Sequence, residues 1–203
     1  RWHWFGNRRM TSVAIMQPTY LPWIGYFGMI DQVDIFIIFD SVQFSKRSWQ
    51  QRNQIKTASG PMWLTVPVAS KGKHGQLINE VEIDIIRNYH TAHIASLKNN
   101  YSKAPYFSEY SPELFFLLEK RHVSISELTT ELIVWFCKML CIKTTIKYSS
   151  QMVNTGTKAN LLAMLCEQVD ATEYVSALGS REYLEDSDAF DKRSIPIKYN
   201  EYN

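Results

Sequence analysis

The fold is decided by residues 13–56, which read VAIMQPTYLPWIGYFGMIDQVDIFIIFDSVQFSKRSWQQRNQIK. Residues 12–16 are a short apolar run that stops before Pro18, whose missing N–H cannot continue a sheet ladder. Residues 35–39 are a second run without polar alternation, as in a strand covered on both faces. Apolar residues at three- and four-residue steps between the two runs predict a helix over residues 22–32. The stretch therefore predicts a β-α-β unit.

Polar and aromatic side chains follow both predicted strands. The carboxyl ends of parallel strands lie at one edge of a sheet, where open α/β sheets bind ligands. The N-terminus of the first helix would add free N–H groups there. We therefore expect a crevice for a ligand that carries phosphate or carboxylate. The residues assigned to it are Gln17, Tyr20, Gly25, Gln43, Lys46, Arg47, Trp49, Arg52 and Asn53.

One acidic residue and three aromatic residues in this stretch carry a chemical hypothesis. Asp40, at a strand end, is predicted to be a general base or metal ligand, the alternative being a cap or an ion pair with Arg52. Tyr20, Tyr26 and Trp49 are predicted to stack on a base or sugar, the alternative being a packed aromatic rim.

A second β-α-β unit is predicted near the C-terminus. It consists of a strand at residues 143–148, a helix at 158–169 and a strand around Tyr174, and a last strand follows at 195–199. The glycine-and-serine turn after Tyr174 offers backbone N–H groups to an anion. The residues assigned to this turn are Ser176, Gly179, Ser180 and Arg181.

The middle of the chain reads as a small β-hairpin followed by helices. The predicted strands are residues 62–68 and 81–85, and the predicted helices are residues 87–101, 112–120 and 125–140. The loop from Lys71 to Gly75 is interpreted as a solvated loop rather than a phosphate flap. His90 and His93 share a helix face, but without a third ligand they favour a structural role, and no metal site is predicted.

Motifs along most of the chain resemble those of the WbqC-like family, a bacterial group associated with O-antigen and other surface-polysaccharide genes. The motifs are Gln17-Pro18-x-Tyr20-x-Pro22-x-x-Gly25-Tyr26-Phe27, Asp40-x-x-Gln43-Phe44, Trp49-x-x-Arg52-Asn53, Trp63 to Val68, and Tyr101-x-Lys103-Ala104-Pro105-Tyr106-Phe107. By this resemblance His93 lies in a recurrent motif and is a candidate catalytic residue with Asp40 and Tyr26. The resemblance also implies that family members continue beyond the last residues of this chain.

The predicted architecture is a three-layer, Rossmann-like, mostly parallel sheet with a small β-hairpin and a helical insertion. It resembles the folds of nucleotidyltransferases and pantothenate-synthetase-like enzymes. Those enzymes use a His-x-Gly-His motif where this chain has Trp23-Ile24-Gly25-Tyr26, and tyrosine cannot act as a cationic imidazole.

The function expected from these features is group transfer to a nucleotide-linked amino sugar or related metabolite, by amide formation or nucleotide-dependent activation. ATP or another nucleotide with Mg²⁺ is the expected cofactor. The alternative is a non-catalytic protein that binds a nucleotide sugar or assists assembly. For either function, the expected protein partner is a second copy of the chain or a pathway enzyme.

Composition narrows the class of protein. The 203 residues are 45% hydrophobic, enough for one sizeable core, so residues 10–203 are expected to form a single domain. A net charge of +2 does not favour nucleic acid as a ligand. Three cysteines without disulfide or zinc spacing fit a cytoplasmic protein.

No apolar run in the sequence reaches the ~20 residues of a membrane span. Residues 1–9 are interpreted as an upstream extension or cloning remnant.

Overall fold

A computed structural model of the protein describes residues 10–200, so the extension expected at residues 1–9 lies outside the described part. The chain divides into two compact units. We call residues 10–16, 25–38 and 143–200 the sheet unit, and residues 17–24 and 39–142 the insert unit. The single-domain organisation of residues 10–203 stays a prediction.

The described residues form strands and helices that alternate along much of the chain. The strands are β1 (Ser12–Met16), β2 (Ile35–Ile38), β3 (Arg52–Thr57), β4 (Gly60–Thr65), β5 (Thr145–Tyr148), β6 (Glu173–Ala177) and β7 (Ile197–Asn200). The α-helices are α1 (Ile24–Asp31), α2 (Tyr89–Tyr101), α3 (Phe107–Glu119), α4 (Ile125–Met139), α5 (Lys158–Glu167) and α6 (Arg181–Glu185).

The sheet unit is built on five parallel strands in the order β5-β2-β1-β6-β7. Val13 of β1 pairs with Ile35 on one side and with Tyr174 on the other. Phe36, Ile37 and Ile38 are fully buried, which explains why β2 shows no polar alternation. The α/β class and the mostly parallel sheet are therefore confirmed.

Helix α1 begins two residues later than the pattern predicted, at Ile24 rather than Pro22. The reason lies in the preceding turn, where Leu21 has a φ of 45° and the Asn53 side chain donates hydrogen bonds to the carbonyls of Tyr20 and Leu21. These bonds hold the chain in a non-helical turn, so Pro22 lies ahead of the first helical residue.

The insert unit contains a hairpin whose pairing differs from the predicted one. Strand β4 pairs antiparallel with β3, from Arg52 opposite Thr65 to Thr57 opposite Gly60. The sequence did not indicate β3 because only Ile55 of its six residues is buried. The predicted pairing of residues 62–68 with 81–85 is reduced to an isolated bridge between Val68 and Ile83. Gly60, at φ 108°, supplies a conformation that residues with a side chain rarely adopt.

Helices α2, α3 and α4 pack with the hairpin around the core of the insert unit. That core includes Tyr20, Leu64, Ile94, Leu128 and Leu132. The side chain of Ser124 caps α4 by accepting a hydrogen bond from the Glu127 N–H, 3.1 Å away. Among the helices between residues 10 and 200, none has the length and apolar character that a bilayer crossing requires.

Candidate functional site: a basic groove in the insert unit

The basic loop after β2 is shaped by two glutamines that are almost fully buried. The backbone N–H of Ser45 donates to Oε1 of Gln50 at 2.8 Å, and that of Arg47 donates to Oε1 of Gln51 at 3.1 Å. Arg47 itself has a φ of 59°, in the left-handed region that costs a side-chain-bearing residue energy. Buried amide side chains therefore fix this loop and hold Arg47 in a strained turn.

The same glutamines tie the loop to other parts of the insert unit. Gln51 donates through Nε2 to the carbonyl of Val66, whose own N–H donates back to the Gln51 carbonyl. Gln50 donates through Nε2 to Oε1 of Gln17 at 2.8 Å. Two hydrogen bonds to Val66 and one to Gln17 thus set the position of the loop.

This loop forms one wall of a groove of about 840 Å³ within the insert unit. Its lining includes four cationic residues and one carboxylate, namely Lys46, Arg47, Lys71, Arg87 and Asp84. Arg87 Nε lies 3.4 Å from Oδ2 of Asp84, and because the arginine is exposed and the aspartate partly so, solvent screens this pair. Lys46 Nζ donates to the carbonyl of Ser70 across the groove at 3.2 Å. We call this cavity the basic groove; its excess of positive charge suits an anionic ligand.

Tyr89 lines the basic groove and packs against a buried pair beneath it. Its ring meets that of His93 edge-on, with 5.3 Å between centroids, and the Tyr20 hydroxyl lies 2.8 Å from His93 Nδ1. The imidazole also hydrogen-bonds the backbone of Thr65. This arrangement fits a neutral imidazole that accepts from Tyr20 at Nδ1 and donates to the Thr65 carbonyl at Nε2.

Burial shifts the acid–base behaviour of this cluster. It lowers the pKa of His93 to about 4, with the nearby His90 adding to the shift and the Thr65 hydrogen bond opposing it. Burial also raises the pKa of Tyr89 to about 12 and that of Tyr20 well above its ordinary value. All three side chains are therefore neutral near pH 7 and supply hydrogen bonds rather than charge.

Arg52 makes a separate aromatic stack on the hairpin. Its guanidinium carbon lies 4.1 Å from the centroid of the Trp63 ring, and the rings of Trp49 and Trp63 lie 5.3 Å apart. Arg52 Nε is buried without a hydrogen-bond partner in the described structure. Arg52 and Trp49 are not among the residues that line the basic groove.

Three further residues expected in the crevice make contacts inside the insert unit. Asp40 is 4% exposed and accepts a hydrogen bond at Oδ2 from the hydroxyl of Ser126, in the first turn of α4. Gln43 forms an isolated β-bridge with Leu77. Asn53 holds the turn before α1. Asp40 thus contacts the first turn of α4 through a side chain, and both its role as base or metal ligand and the capping alternative stay predictions.

The remaining expected site residues belong to the sheet unit. Gly25 is buried in α1, and Tyr26 is 1% exposed with its ring edge-on to Phe36 at 5.5 Å. Ser176 is buried and hydrogen-bonds the Tyr174 side chain.

The turn after β6 lies in the same unit. Gly179 and Ser180 belong to a 3-10 turn, and a side chain at Gly179 would meet open space, so the backbone there does not require glycine. Arg181 pairs with Glu185 at 3.2 Å and stacks on the Tyr199 ring. A crevice shared by this turn and the basic loop stays a prediction.

The structure thus brings Lys46 and Arg47 together in one groove, and it adds residues that the sequence did not single out. Gln51, Asp84, Arg87 and Tyr89 line the groove, and Gln50 shapes the loop that forms its wall. Lys71 also lines the groove; the sequence favoured a solvated loop over a phosphate flap here, because glycines beside charged residues are commonest in plain loops. A Gln-Gln pair three residues after the Lys46-Arg47 pair was the one available signal for the buried amides.

The side-chain positions also bear on metal ligation. Between residues 10 and 200, no three histidine, cysteine, aspartate or glutamate side chains are grouped so that they could hold a metal ion. His90 and His93 therefore stand without a third ligand of these types in that part of the chain.

Comparison with known proteins gives the family. Residues 17–203 match the WbqC-like protein family. The chain is 42% identical over 195 residues to a Mycobacterium tuberculosis protein named "Uncharacterized protein Rv1507c", an alignment that covers 96% of this chain and 84% of the relative. No solved structure gives a significant match. The chain therefore belongs to the WbqC-like protein family.

Proposed function

We propose that the protein binds the phosphate groups of a nucleotide-linked substrate in the basic groove and transfers a group to that substrate. The observation that carries this proposal is the charge of the groove, four cations against one carboxylate, on a loop held in shape by buried glutamines. A loop held in position before binding loses less conformational entropy when a ligand arrives.

The roles of the groove residues follow from their chemistry. Lys46 and Lys71 would neutralise phosphate as point charges, while the Arg47 and Arg87 guanidinium groups would bind it through two parallel hydrogen bonds. Asp84 is the carboxylate in the described lining, and it is the residue we propose as the acceptor of a proton from an amine nucleophile.

His93 and Tyr20 have a different part in this scheme. They lie behind Tyr89, whose ring faces the groove, and we propose them as positioning residues for that ring. The catalytic roles suggested by sequence for Asp40 and Tyr26 remain proposals, and both side chains are buried.

The reaction we propose is amide formation, by acyl or aminoacyl transfer, or nucleotide-dependent activation of an amino sugar, with ATP and Mg²⁺ as cofactors. The pathway is the synthesis of O-antigen, another surface polysaccharide or a secondary metabolite in the cytoplasm, as the family resemblance implies. The parallel sheet supports likening the fold to nucleotidyltransferases, whereas the absence of histidine from Trp23-Ile24-Gly25-Tyr26 departs from their motif.

One observation favours a second candidate function, a protein that binds a nucleotide sugar without acting on it. Asp84 is ion-paired with Arg87, and both ring nitrogens of His93 are engaged, so each group has to give up a contact before it can move a proton. Such a protein would use the same groove for binding alone and would pass its ligand to a pathway enzyme.

The test is a thermal-shift screen of the wild type against ATP, other nucleotides and nucleotide sugars, with and without Mg²⁺. A ligand present at about 100 times its dissociation constant should stabilise the fold by roughly 2.7 kcal/mol. The matched variants are Lys46→Gln, in the groove, and Lys138→Gln, an exposed lysine of α4. We expect Lys46→Gln to lose most of the shift and Lys138→Gln to keep it.

The Asp84→Asn variant separates the two candidate functions. For an enzyme, Asp84→Asn keeps the thermal shift but loses product formation, which mass spectrometry of a mixture of ATP, an amino-sugar nucleotide and carboxylic acid donors would detect. For a binding protein, neither wild type nor variant forms product although both bind. Absence of any nucleotide-induced shift in the wild type would contradict both.

A further inference from the structure

Two solvent-exposed tryptophans lie side by side in the insert unit. Trp49 is 54% exposed and Trp63 is 42% exposed, and their ring centroids are 5.3 Å apart at an interplanar angle of 39°. The guanidinium carbon of Arg52 lies 4.1 Å from the centroid of the Trp63 ring. We call these three side chains the aromatic stack. A single exposed apolar side chain is ordinary on a protein surface, whereas two indoles in contact expose a larger continuous π surface.

The register of the hairpin places the aromatic stack beside the basic groove. Arg52 lies opposite Thr65, and Gln54 lies opposite Trp63. Side chains directly opposite each other, and those two positions apart on one strand, point to the same face of a sheet, so Arg52, Trp63 and Thr65 share a face. Thr65 lines the basic groove, and Trp63 lies two residues before it on β4, a separation of about 7 Å.

The basic loop makes a second connection between the aromatic stack and the groove. Lys46, Arg47 and Gln51 line the groove, and Trp49 lies between Arg47 and Gln51 in the chain. The carbonyl of Trp49 accepts a hydrogen bond from the Tyr20 N–H at 2.9 Å, which holds this residue through its backbone. Both chain segments that carry the aromatic stack therefore also contribute to the lining of the groove.

The polar side chains on this face of the hairpin are available to a ligand. Among residues 10–200, the side chains of Arg52, Gln54 and Lys56 form no ion pair and no hydrogen bond. Strands β3 and β4 contain no acidic residue that could neutralise the two cations. The aromatic stack therefore has positive charge and free hydrogen-bond donors beside it.

We propose that Trp49 stacks on the base of a nucleotide whose phosphates lie in the basic groove. For the place of the phosphates, this inference rests on the proposed function. More than half of Trp49 is open to solvent, and Trp63, with Arg52 over its ring, positions the Trp49 indole by ring contact. Stacking on an aromatic side chain stabilises any bound base, because every base has a flat π face.

The chemistry of the aromatic stack favours a base over a sugar ring. A base has two flat aromatic faces and an edge with hydrogen-bond acceptors, whereas a sugar ring has no π system. The indoles match the faces of a base. The amide of Gln54 and the guanidinium of Arg52 supply donors that suit acceptors on its edge.

The test is calorimetric titration of the full chain, in the presence of Mg²⁺, with ATP, GTP, CTP, UTP and inorganic tripolyphosphate, which has phosphates but no base. We expect at least one nucleotide to bind about tenfold or more tightly than tripolyphosphate, as the stacking of one base would give. Trp49→Ala should remove this advantage and leave the affinity for tripolyphosphate unchanged. Trp49→Phe keeps an aromatic face and should retain most of it. Phe116→Ala, at an exposed aromatic position of α3, should behave as the wild type.

The two kinds of probe separate this inference from the assignment of the groove. If tripolyphosphate binds and Lys46→Gln weakens it, but no nucleotide binds more tightly, the groove stands and stacking by Trp49 is overturned. Stacking is also overturned if the nucleotide advantage survives in Trp49→Ala. If instead nucleotide binding depends on Trp49 while tripolyphosphate does not bind and Lys46→Gln has no effect, base stacking stands and the groove assignment fails.

Two further results would overturn the inference. Binding of glucose 1-phosphate that depends on Trp49, without any nucleotide advantage, would assign the aromatic stack to a sugar ring. Absence of binding by every probe at millimolar concentration would contradict both the stacking role of Trp49 and the groove.

Discussion

The hydroxyl of Tyr20 lies 2.8 Å from Nδ1 of His93, and the two side chains are 0% and 5% exposed. The two residues are far apart in the chain, one in the turn before α1 and the other in α2. Their hydrogen bond ties that turn to the helix that presents Tyr89 to the basic groove.

Removal of the Tyr20 hydroxyl should destabilise the fold. Tyr20→Phe keeps the ring but leaves Nδ1 of His93 buried without a donor, which should cost about 1–3 kcal/mol in the free energy of unfolding. Tyr101→Phe is the control, since its hydroxyl accepts an exposed hydrogen bond from the Lys56 N–H. Urea denaturation followed by tryptophan fluorescence measures both, and equal losses in the two variants would contradict the structural role of this bond.

The buried imidazole predicts a pH dependence of stability. The pKa of His93 is lowered from 6.5 to about 4 in the folded protein, so above pH 6.5 both folded and unfolded states are neutral. As the pH falls from 6.5 to about 4, the unfolded chain takes up the proton first and the fold loses stability. The loss from this residue should be on the order of 3 kcal/mol and should level off below that range.

Comparison with His93→Gln isolates the contribution of this imidazole. The difference in unfolding free energy between wild type and variant should shrink as the pH falls from 7 to 4. Parallel pH profiles for the two proteins would show that His93 is not held neutral by burial.

Asn53 should stabilise the turn before α1 through its side-chain amide. It donates to the carbonyls of Tyr20 and Leu21, and Leu21 has a left-handed φ of 45°. Asn53→Ala removes both bonds and should cost about 1–3 kcal/mol. Asn53→Asp, which cannot donate, should be at least as destabilising. Asn99→Ala, at an exposed position of α2, should change stability by less than about 0.5 kcal/mol. Thermal unfolding that ranks Asn99→Ala with the Asn53 variants would refute this role.

Arg47 offers a way to separate strain from ligand binding. Glycine adopts its φ of 59° without penalty, whereas alanine in the left-handed region costs about 1–2 kcal/mol relative to glycine. Arg47→Gly should therefore be more stable than Arg47→Ala by roughly that amount. Both variants lack the cation, so both should lose affinity for a nucleotide to the same extent. If Arg47→Ala, the less stable variant, also binds the nucleotide more weakly than Arg47→Gly, then Arg47 shapes the loop and does not contact the ligand.

Hydrophobic patterning predicted the sheet because the central strands are covered on both faces. Phe36, Ile37 and Ile38 are buried, and a short unbroken apolar run is typical of a strand buried on both sides. Strand β3 escaped prediction because Ile55 is its one buried residue and the others are polar and partly exposed. Such a strand is specified by its partner β4 rather than by its own pattern.

The sequence predicted basic residues of the candidate site but not the buried side chains that hold its loop in place. Lys46 and Arg47 stand out in the sequence as a local basic pair, and they line the groove. Gln51 looks like a surface residue by type, and only the packing of the loop on Val66 buries it. Arg52, equally basic, stacks on Trp63 because it lies on β3 beside that residue's strand.

The central claim, that the basic groove binds nucleotide phosphates, is tested most directly by calorimetric titration of the nucleotide or nucleotide sugar that gives the largest thermal shift. The titration compares Lys46→Gln/Lys71→Gln, in the groove, with Lys138→Gln/Lys198→Gln, two exposed lysines that do not line it. We predict that the groove pair raises the dissociation constant at least about tenfold, as loss of charge-assisted hydrogen bonds would. The control pair, with the same change in net charge, should stay within about twofold of the wild type. Equal dissociation constants in the two double variants would contradict the assignment of the groove.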